Sequence, residues 1–336
     1  MSEAPPLPSL LPWQATQWLQ ITNALKLDRL HHALLLHGPA GVGKSLFARR
    51  VAAALLCESS ADAPSRPCGE CRSCVLVRAG NHPDLMELAP REDRRMIDVE
   101  QVRTRIAELS LTAHYADRRV IVINPADGLN HSSANSLLKT LEEPPGSVVF
   151  LLLSARPAML AATIRSRCSS LMMPAPERAQ ALTWLREQGF NDESAALTAL
   201  HWCSGAPLAA HQALESGELE RCQTMVESIA VLMRPDADPL SAAAQWNSDG
   251  LRRVVDWQLR IAAHAMRIKA LQESDDSGVA MQVISSKLDL RQLDGVCEEL
   301  LELRNALERQ LNPGEQLALE GLAVTWRDAA LKAVRN

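Results

Sequence analysis

Aromatic residues are scarce. One Tyr and three Phe join seven Trp in 336 residues, so aromatics make up 3% of a chain that is 47% hydrophobic. The excess is Ala and Leu, which argues against the aromatic, β-branched texture of an all-β protein and predicts a mostly helical chain. An excess of basic charge is also missing. Lys and Arg total 35 against 40 Asp and Glu, a formal net charge of -5, which excludes the molecule-wide basic field of an independent DNA binder, so any DNA contact is expected to be local or shared. No apolar run approaches the roughly 20 residues that span a bilayer. The start, MSEAPPLPSL, has neither a basic region nor a signal core, and the expectation is a cytoplasmic protein with no membrane partner. The length predicts two or three folded units.

The strand signals that are present fall in the first half. Ala33 to His37 is a short apolar run ending in a Gly-rich turn, and Leu46, Phe47, Val51, Ala54 and Leu55 then recur on one helical face. Runs at Leu85 to Leu88, Val120 to Ile123 and Val148 to Leu153 read as buried strands of a parallel sheet. Beyond Pro174 no strand-like run follows, and helical Ala/Leu/Glu/Arg periodicity continues to the end. Breaks are expected at Met173 to Pro176, Ser216-Gly217, Arg234-Pro235 and Glu273 to Gly278. Trp184, Trp202, Trp257 and Trp326 sit in helical patterns as core residues rather than as stacking platforms.

Between the first strand and its helix stands GPAGVGKS, Gly38 to Ser45. Gly38, Gly41 and Gly43 let backbone N–H groups wrap around phosphates. Lys44 reaches the β- and γ-phosphates, and the Ser45 hydroxyl suits Mg2+. ATP or ADP with Mg2+ is the implied ligand. A motor also needs acids at the end of a neighbouring strand, but Val120 to Ile123 runs into Asn124 and Pro125, which carry none. Asp127 substitutes only through an unusual bend. A missing base costs about 10²- to 10⁴-fold in rate, so phosphate binding without effective hydrolysis is expected.

Cys57, Cys68, Cys71 and Cys74 are separated by ten, two and two residues. Thiolates at that spacing can converge on one tetrahedral, structural Zn2+, and an iron–sulfur cluster is the other reading. Pro64, Arg66, Gly69, Glu70 and Arg72 make the segment too polar for a core. Cys168, Cys203, Cys222 and Cys297 are isolated and read as packing residues.

Two further strings, SLLKTLEEPP (Ser136 to Pro145) and TIRSRC (Thr163 to Cys168), join the phosphate loop and the cysteines. Together they resemble the clamp-loader branch of the AAA+ family. The resemblance implies an α/β AAA+ domain over 1–172, a parallel sheet flanked by helices with a four-cysteine zinc module at 57–74. An all-helical lid over 173–215 and an all-helical collar over 216–336 follow it. It implies a ring of five with gamma/tau and delta subunits, which loads a sliding clamp onto primer-template DNA. Arg167, the Arg of Ser-Arg-Cys, would complete a neighbour's ATP site in trans, and Ser154 matches the polar γ-phosphate sensor.

The departures matter as much. Asn124-Pro125 stands where the hydrolysing gamma/tau type has Asp-Glu, and Leu208, in the turn Gly205-Ala206-Pro207-Leu208, replaces the lid Arg. LNPGEQLALEGLAVTW (Leu311 to Trp326) also fits the non-hydrolysing member, the stator. The best-known version of that member has a degraded phosphate loop, and this loop is intact. Competing expectations are a self-sufficient ATPase and a zinc-module DNA binder using Arg66, Arg72, Arg91, Arg94 and Arg95. Mixed charge in REDRR (Arg91 to Arg95) reads as a solvated loop.

Overall fold

The computed structural model of the chain describes residues 7–60, 66–91, 94, 96–109, 118–271, 278–308, 311 and 313–333. Pro64, three residues of the REDRR run (Glu92, Asp93 and Arg95) and most of the break from Glu273 to Gly278 lie outside them. The chain divides into two compact units, 1–211 and 212–336.

The first unit runs α1 (Ala15–Lys26), β1 (Ala33–His37), α2 (Lys44–Leu56), α3 (Arg72–Arg78), β2 (Leu85–Leu88), α4 (Val99–Leu109) and β3 (Arg119–Ile123). It continues with α5 (His131–Glu142), β4 (Val148–Ser154), α6 (Ala162–Arg165), β5 (Ser169–Met172), α7 (Arg178–Glu187), α8 (Glu193–Trp202) and the start of α9 (Pro207–Glu215). The strands form one sheet in the order β2-β3-β4-β1-β5, and every pairing is parallel. The four expected strands are present. β5 was not expected, because SSLM lies at an edge with three of its four residues exposed, so it lacks the apolar run of a doubly covered strand.

Alternation of side chains along the strands feeds two cores. Leu34, Leu36, Val120, Val122, Leu151 and Leu153 pack with Ile21 and Leu25 of α1 and the apolar face of α2. Leu35, Ile121, Ile123, Phe150 and Leu152 pack on the other side with Val102 of α4, Leu137 and Leu141 of α5, and Ile164 of α6. The sheet is thereby covered on both faces. The C-terminal ends of β1, β3 and β4 open onto the loops described next.

The second unit is helical: α10 (Glu218–Leu232), α11 (Pro239–Trp246), α12 (Leu251–Leu271), α13 (Val279–Lys287), α14 (Leu290–Glu308) and α15 (Glu315–Ala333). α12 packs on α14, and α11 on α15. Trp257 and Trp326 are buried here, as Trp184 and Trp202 are in the first unit. Two of these buried indoles have polar partners: Trp326 Nε1 donates to Gln258 Oε1 at 2.9 Å, and Trp257 Nε1 to Glu218 Oε1 at 3.0 Å. No described helix is long and apolar enough to cross a membrane.

Candidate functional site

The phosphate-type loop leaves β1 at His37 and enters α2 at Lys44. Gly43 caps α2 with φ 89°, a left-handed conformation that side chains disfavour, so the loop can turn its amides toward the positive end of α2. Gly41 has φ 83°. A Cβ there would lie 2.4 Å from Ala209 Cβ and 2.7 Å from Ala209 N, so the first turn of α9 rests directly on the loop. Leu208 N donates to Gly41 O at 3.1 Å. From the N-terminal side, Trp13 Nε1 donates to Val42 O at 3.0 Å and the buried Gln14 donates through Nε2 to Gly43 O at 3.1 Å. These outer contacts hold the loop's carbonyls. Sequence reasoning missed Trp13 and Gln14, whose role depends on an approach across 29 residues.

Lys44 is only 9% exposed. Its Nζ donates to Gly38 O at 2.8 Å and Pro39 O at 2.7 Å, inside the loop. Burial lowers its pKa below the ordinary lysine value, and the charge of Asp127 partly opposes that. His37 is lowered as well, by burial and then by Lys44. The glycine cradle, the helix N-terminus, Lys44 and the Ser45 hydroxyl fit a nucleoside di- or triphosphate with Mg2+. An incoming anion would take over the bonds that Lys44 now gives to the loop carbonyls.

Asn124, at the exit of β3, donates through Nδ2 to Ser45 Oγ at 3.2 Å. An amide therefore stands where a metal-binding carboxylate would face that hydroxyl. Asp127 does not replace it: its Oδ2 accepts from Arg156 Nε at 3.3 Å, and its Oδ1 from Ala155 N at 3.3 Å. Ser154, 1% exposed, ends β4 and accepts from Arg156 N at 3.1 Å. Its carbonyl accepts from Gly38 N at 3.2 Å. Gly38, Gly41, Gly43, Lys44, Ser45 and Ser154 thus gather at one end of the sheet. Arg167 is placed differently. Its described hydrogen bonds go to Glu142, Thr163 and Ser166, and none reaches the loop.

At the far end of α2, Cys57 is the C-cap. Cys57, Cys68, Cys71 and Cys74 bring their sulfurs within 4.8 Å of one another and could hold a metal ion. The Cys57–Cys68, Cys57–Cys71 and Cys68–Cys74 separations are 3.6, 3.9 and 3.9 Å. Four thiolates at 2.3 Å from one tetrahedral ion stand about 3.8 Å apart, so the donor set fits a single ion, whereas a cluster of irons would spread the sulfurs wider. Burial raises the Cys57 thiol, but hydrogen bonds with Ser59 and with the Cys68 amide outweigh it and bring its pKa down to about 6. Burial pushes Cys74 the other way. Arg66 donates to the carbonyls of Ala54, Leu55 and Ser59, so it caps α2.

Strand order and phosphate-type loop define an α/β domain of the AAA+ type, and a helical unit follows it in the chain. The sequence profile described as "DNA polymerase III, delta subunit" matches residues 13–177. The chain is 34% identical to DNA polymerase III subunit delta' of Pseudomonas aeruginosa, covering 94% of this chain and 97% of that one. It is 31% identical to the delta' subunit of Escherichia coli over 76% of each chain. It is also 37% identical to subunit tau/gamma of Haemophilus influenzae, over 48% of this chain and 22% of that protein. The chain belongs to the family of DNA polymerase III delta-prime subunits.

Proposed function

We propose that this chain is the non-hydrolysing stator of a clamp loader and supplies Arg167 in trans to an ATP site on a neighbouring subunit. The neighbours are gamma/tau and delta subunits in a ring of five, and the assembly places the sliding clamp on primer-template DNA in the cytoplasm. The observation that carries the reading is the Asn124 amide on Ser45 Oγ, with Asp127 bound to Arg156 and Ala155. Among the described residues no carboxylate faces the Ser45 hydroxyl, and Asp127, whose charge reaches Lys44, is tied to Arg156 and Ala155 instead of standing at the end of β3. Lys44 and Ser45 would hold ATP or ADP with Mg2+ without turnover, with Ser154 beside the γ-phosphate. The four cysteines would hold a structural Zn2+. Residues 173–215 would act as the lid on the loop and 216–336 as the collar.

The physical role of Arg167 is to place positive charge on a γ-phosphoryl group as its oxygens gain charge, an effect worth about 10³ to 10⁵ in rate. Arg167→Ala in a reconstituted loader is expected to lower DNA- and clamp-stimulated ATPase sharply, with a loss of at least about 10³-fold at the site it serves. The purified chain alone is expected to release no phosphate in steady state. Unchanged turnover in the variant loader, or phosphate release by the pure chain that Lys44→Ala abolishes, would reject the reading.

A further inference from the structure

Arg167 does not project freely. Its Nε donates to Glu142 Oε1 at 2.6 Å, and its Nη2 bonds the same oxygen. Nη1 donates to Thr163 O at 2.9 Å and lies 3.4 Å from Ser166 Oγ. A guanidinium has five N–H donors in a rigid plane. Three are committed here, and a fourth is held only by the long Ser166 contact. The fifth N–H and the weakly held fourth are therefore the donors left for a further acceptor, while Glu142 and Thr163 hold the group.

The carboxylate that clamps it stands at an unfavourable place for its own helix. Glu142 is the last residue of α5, where the helix dipole disfavours negative charge. Helix stability does not select an acid at that position, whereas the Arg167 guanidinium offers it a counter-charge. On the other side, Nη1 bonds a carbonyl of α6, so the positive group sits at a helix C-terminal end, where it is favoured. Both members remain partly solvent-accessible, at 33% and 47% of their side-chain surface. The pair therefore sits where a partner subunit could reach the arginine without first breaking a buried salt bridge. An exposed pair adds little to fold stability, and its value lies in orientation.

We infer that Glu142 is a positioning residue for Arg167: it fixes the guanidinium so that its remaining N–H donors meet a neighbour's γ-phosphate without a further search. This rests on the proposed role of Arg167 in trans. An unclamped arginine must lose the freedom of its long side chain at the moment of reaction, and misplacement of about 1 Å can cost 10²-fold. Glu142 touches neither nucleotide nor the attacking water. It acts through Arg167.

The test is stimulated ATPase of the reconstituted loader carrying Glu142→Ala, Glu142→Gln, Arg167→Ala and the double variant. Glu142→Ala is expected to lower kcat about 10- to 100-fold with KM for ATP unchanged. Glu142→Gln, which keeps an acceptor oxygen without the charge, should fall between it and the parent. The double variant should match Arg167→Ala alone. Ring assembly by gel filtration and melting of the chain should be unaltered in all four, which a structural role for Glu142 would not allow. If Glu142→Ala disturbs assembly, the Glu142→Gln loader still decides, because its kcat must fall with assembly intact. A full loss in Arg167→Ala beside unchanged or raised turnover in both Glu142 variants sinks the positioning role alone. Unchanged turnover in Arg167→Ala sinks the stator reading beneath it. Equal losses from Glu142→Ala with and without Arg167 also overturn the inference, since they place Glu142 on some other path.

Discussion

Gly41→Ala tests whether the first turn of α9 rests on the phosphate loop. The added Cβ would lie 2.4 Å from Ala209 Cβ, 2.7 Å from Ala209 N and 3.0 Å from Ala209 Cα. Two of those three atoms are backbone, so no side-chain rotation relieves the clash. Three costs combine: about 1–2 kcal/mol for a Cβ at φ 83°, about 1 kcal/mol for the Leu208 N to Gly41 O bond, and about 1–3 kcal/mol for overpacking. The total is at least about 3 kcal/mol, which for a unit of about 200 residues lowers Tm by roughly 6–12 °C. Gly80→Ala is the control. Gly80 has φ +73° with nothing within 4 Å of the added carbon, so it carries the backbone cost alone. Differential scanning calorimetry of the full chain should therefore place Gly41→Ala about 4 °C or more below Gly80→Ala. Adding Ala209→Gly should recover part of the difference, because it removes the nearest clashing atom. If the two single variants melt together, the segment does not sit on the loop, and the lid reading fails with it.

Three further outcomes follow from the site. Metal analysis of the purified chain should give one divalent ion per chain, and Cys71→Ser or a strong chelator should release it and lower Tm; a metal-free chain of unchanged Tm would refute the assignment of the four cysteines to a metal. Asn124→Asp puts a carboxylate against Ser45 Oγ, and should tighten Mg2+-dependent ATP binding up to about tenfold while steady-state phosphate release stays at background; sustained release would show that an acid at 124 was the one missing part. Lys44→Ala should weaken binding of a fluorescent ATP analogue at least about tenfold. In the parent chain, affinity should fall with rising pH, and earlier than for an ordinary lysine, because burial lowers the Lys44 pKa and the neutral amine no longer attracts phosphate. A flat profile up to the ordinary lysine value would contradict that.

What the sequence made legible follows from which signals are local. β1, β3 and β4 read as continuous apolar runs because the sheet is covered on both sides. β5 did not, since its edge position leaves Ser169, Ser170 and Met172 exposed. The start of β3 was also hidden. Arg119 looks like a boundary, yet it is buried against Asp84 at 3.6 Å, and nothing near it in sequence announces that pairing. The cysteines were legible because C-x₂-C-x₂-C spacing brings sulfurs together almost regardless of the rest of the fold. SLLKTLEEPP stood out as a string, but Glu142 within it did not, because its partner Arg167 lies 25 residues on and meets it only through α6. Gln14 and Leu208 were illegible as loop supports for the same reason.

The two candidate sites are also one electrostatic problem, because α2 carries both. Lys44 and Ser45 open the helix and Cys57 closes it, about 20 Å apart for 13 residues at 1.5 Å each. An anion at the opening end is favoured by the helix dipole, while thiolates at the closing end are not. Four thiolates on one divalent ion would leave a net charge of about -2, placed beside carbonyls that are already partly negative. Arg66 resolves this. Its guanidinium bonds Ala54 O, Leu55 O and Ser59 O, so one cation satisfies the last turn of α2 and neutralises part of the charge next to Cys57. Charge reversal there is expected to reach the metal before it reaches the phosphate loop. Arg66→Glu should weaken metal retention against a chelator, whereas Arg49→Glu, on an exposed face of the same helix and paired with Glu87 at 3.5 Å, should leave retention unchanged. If both variants release metal equally, net charge on α2 rather than the Arg66 cap governs the site, and the argument from the helix end is wrong.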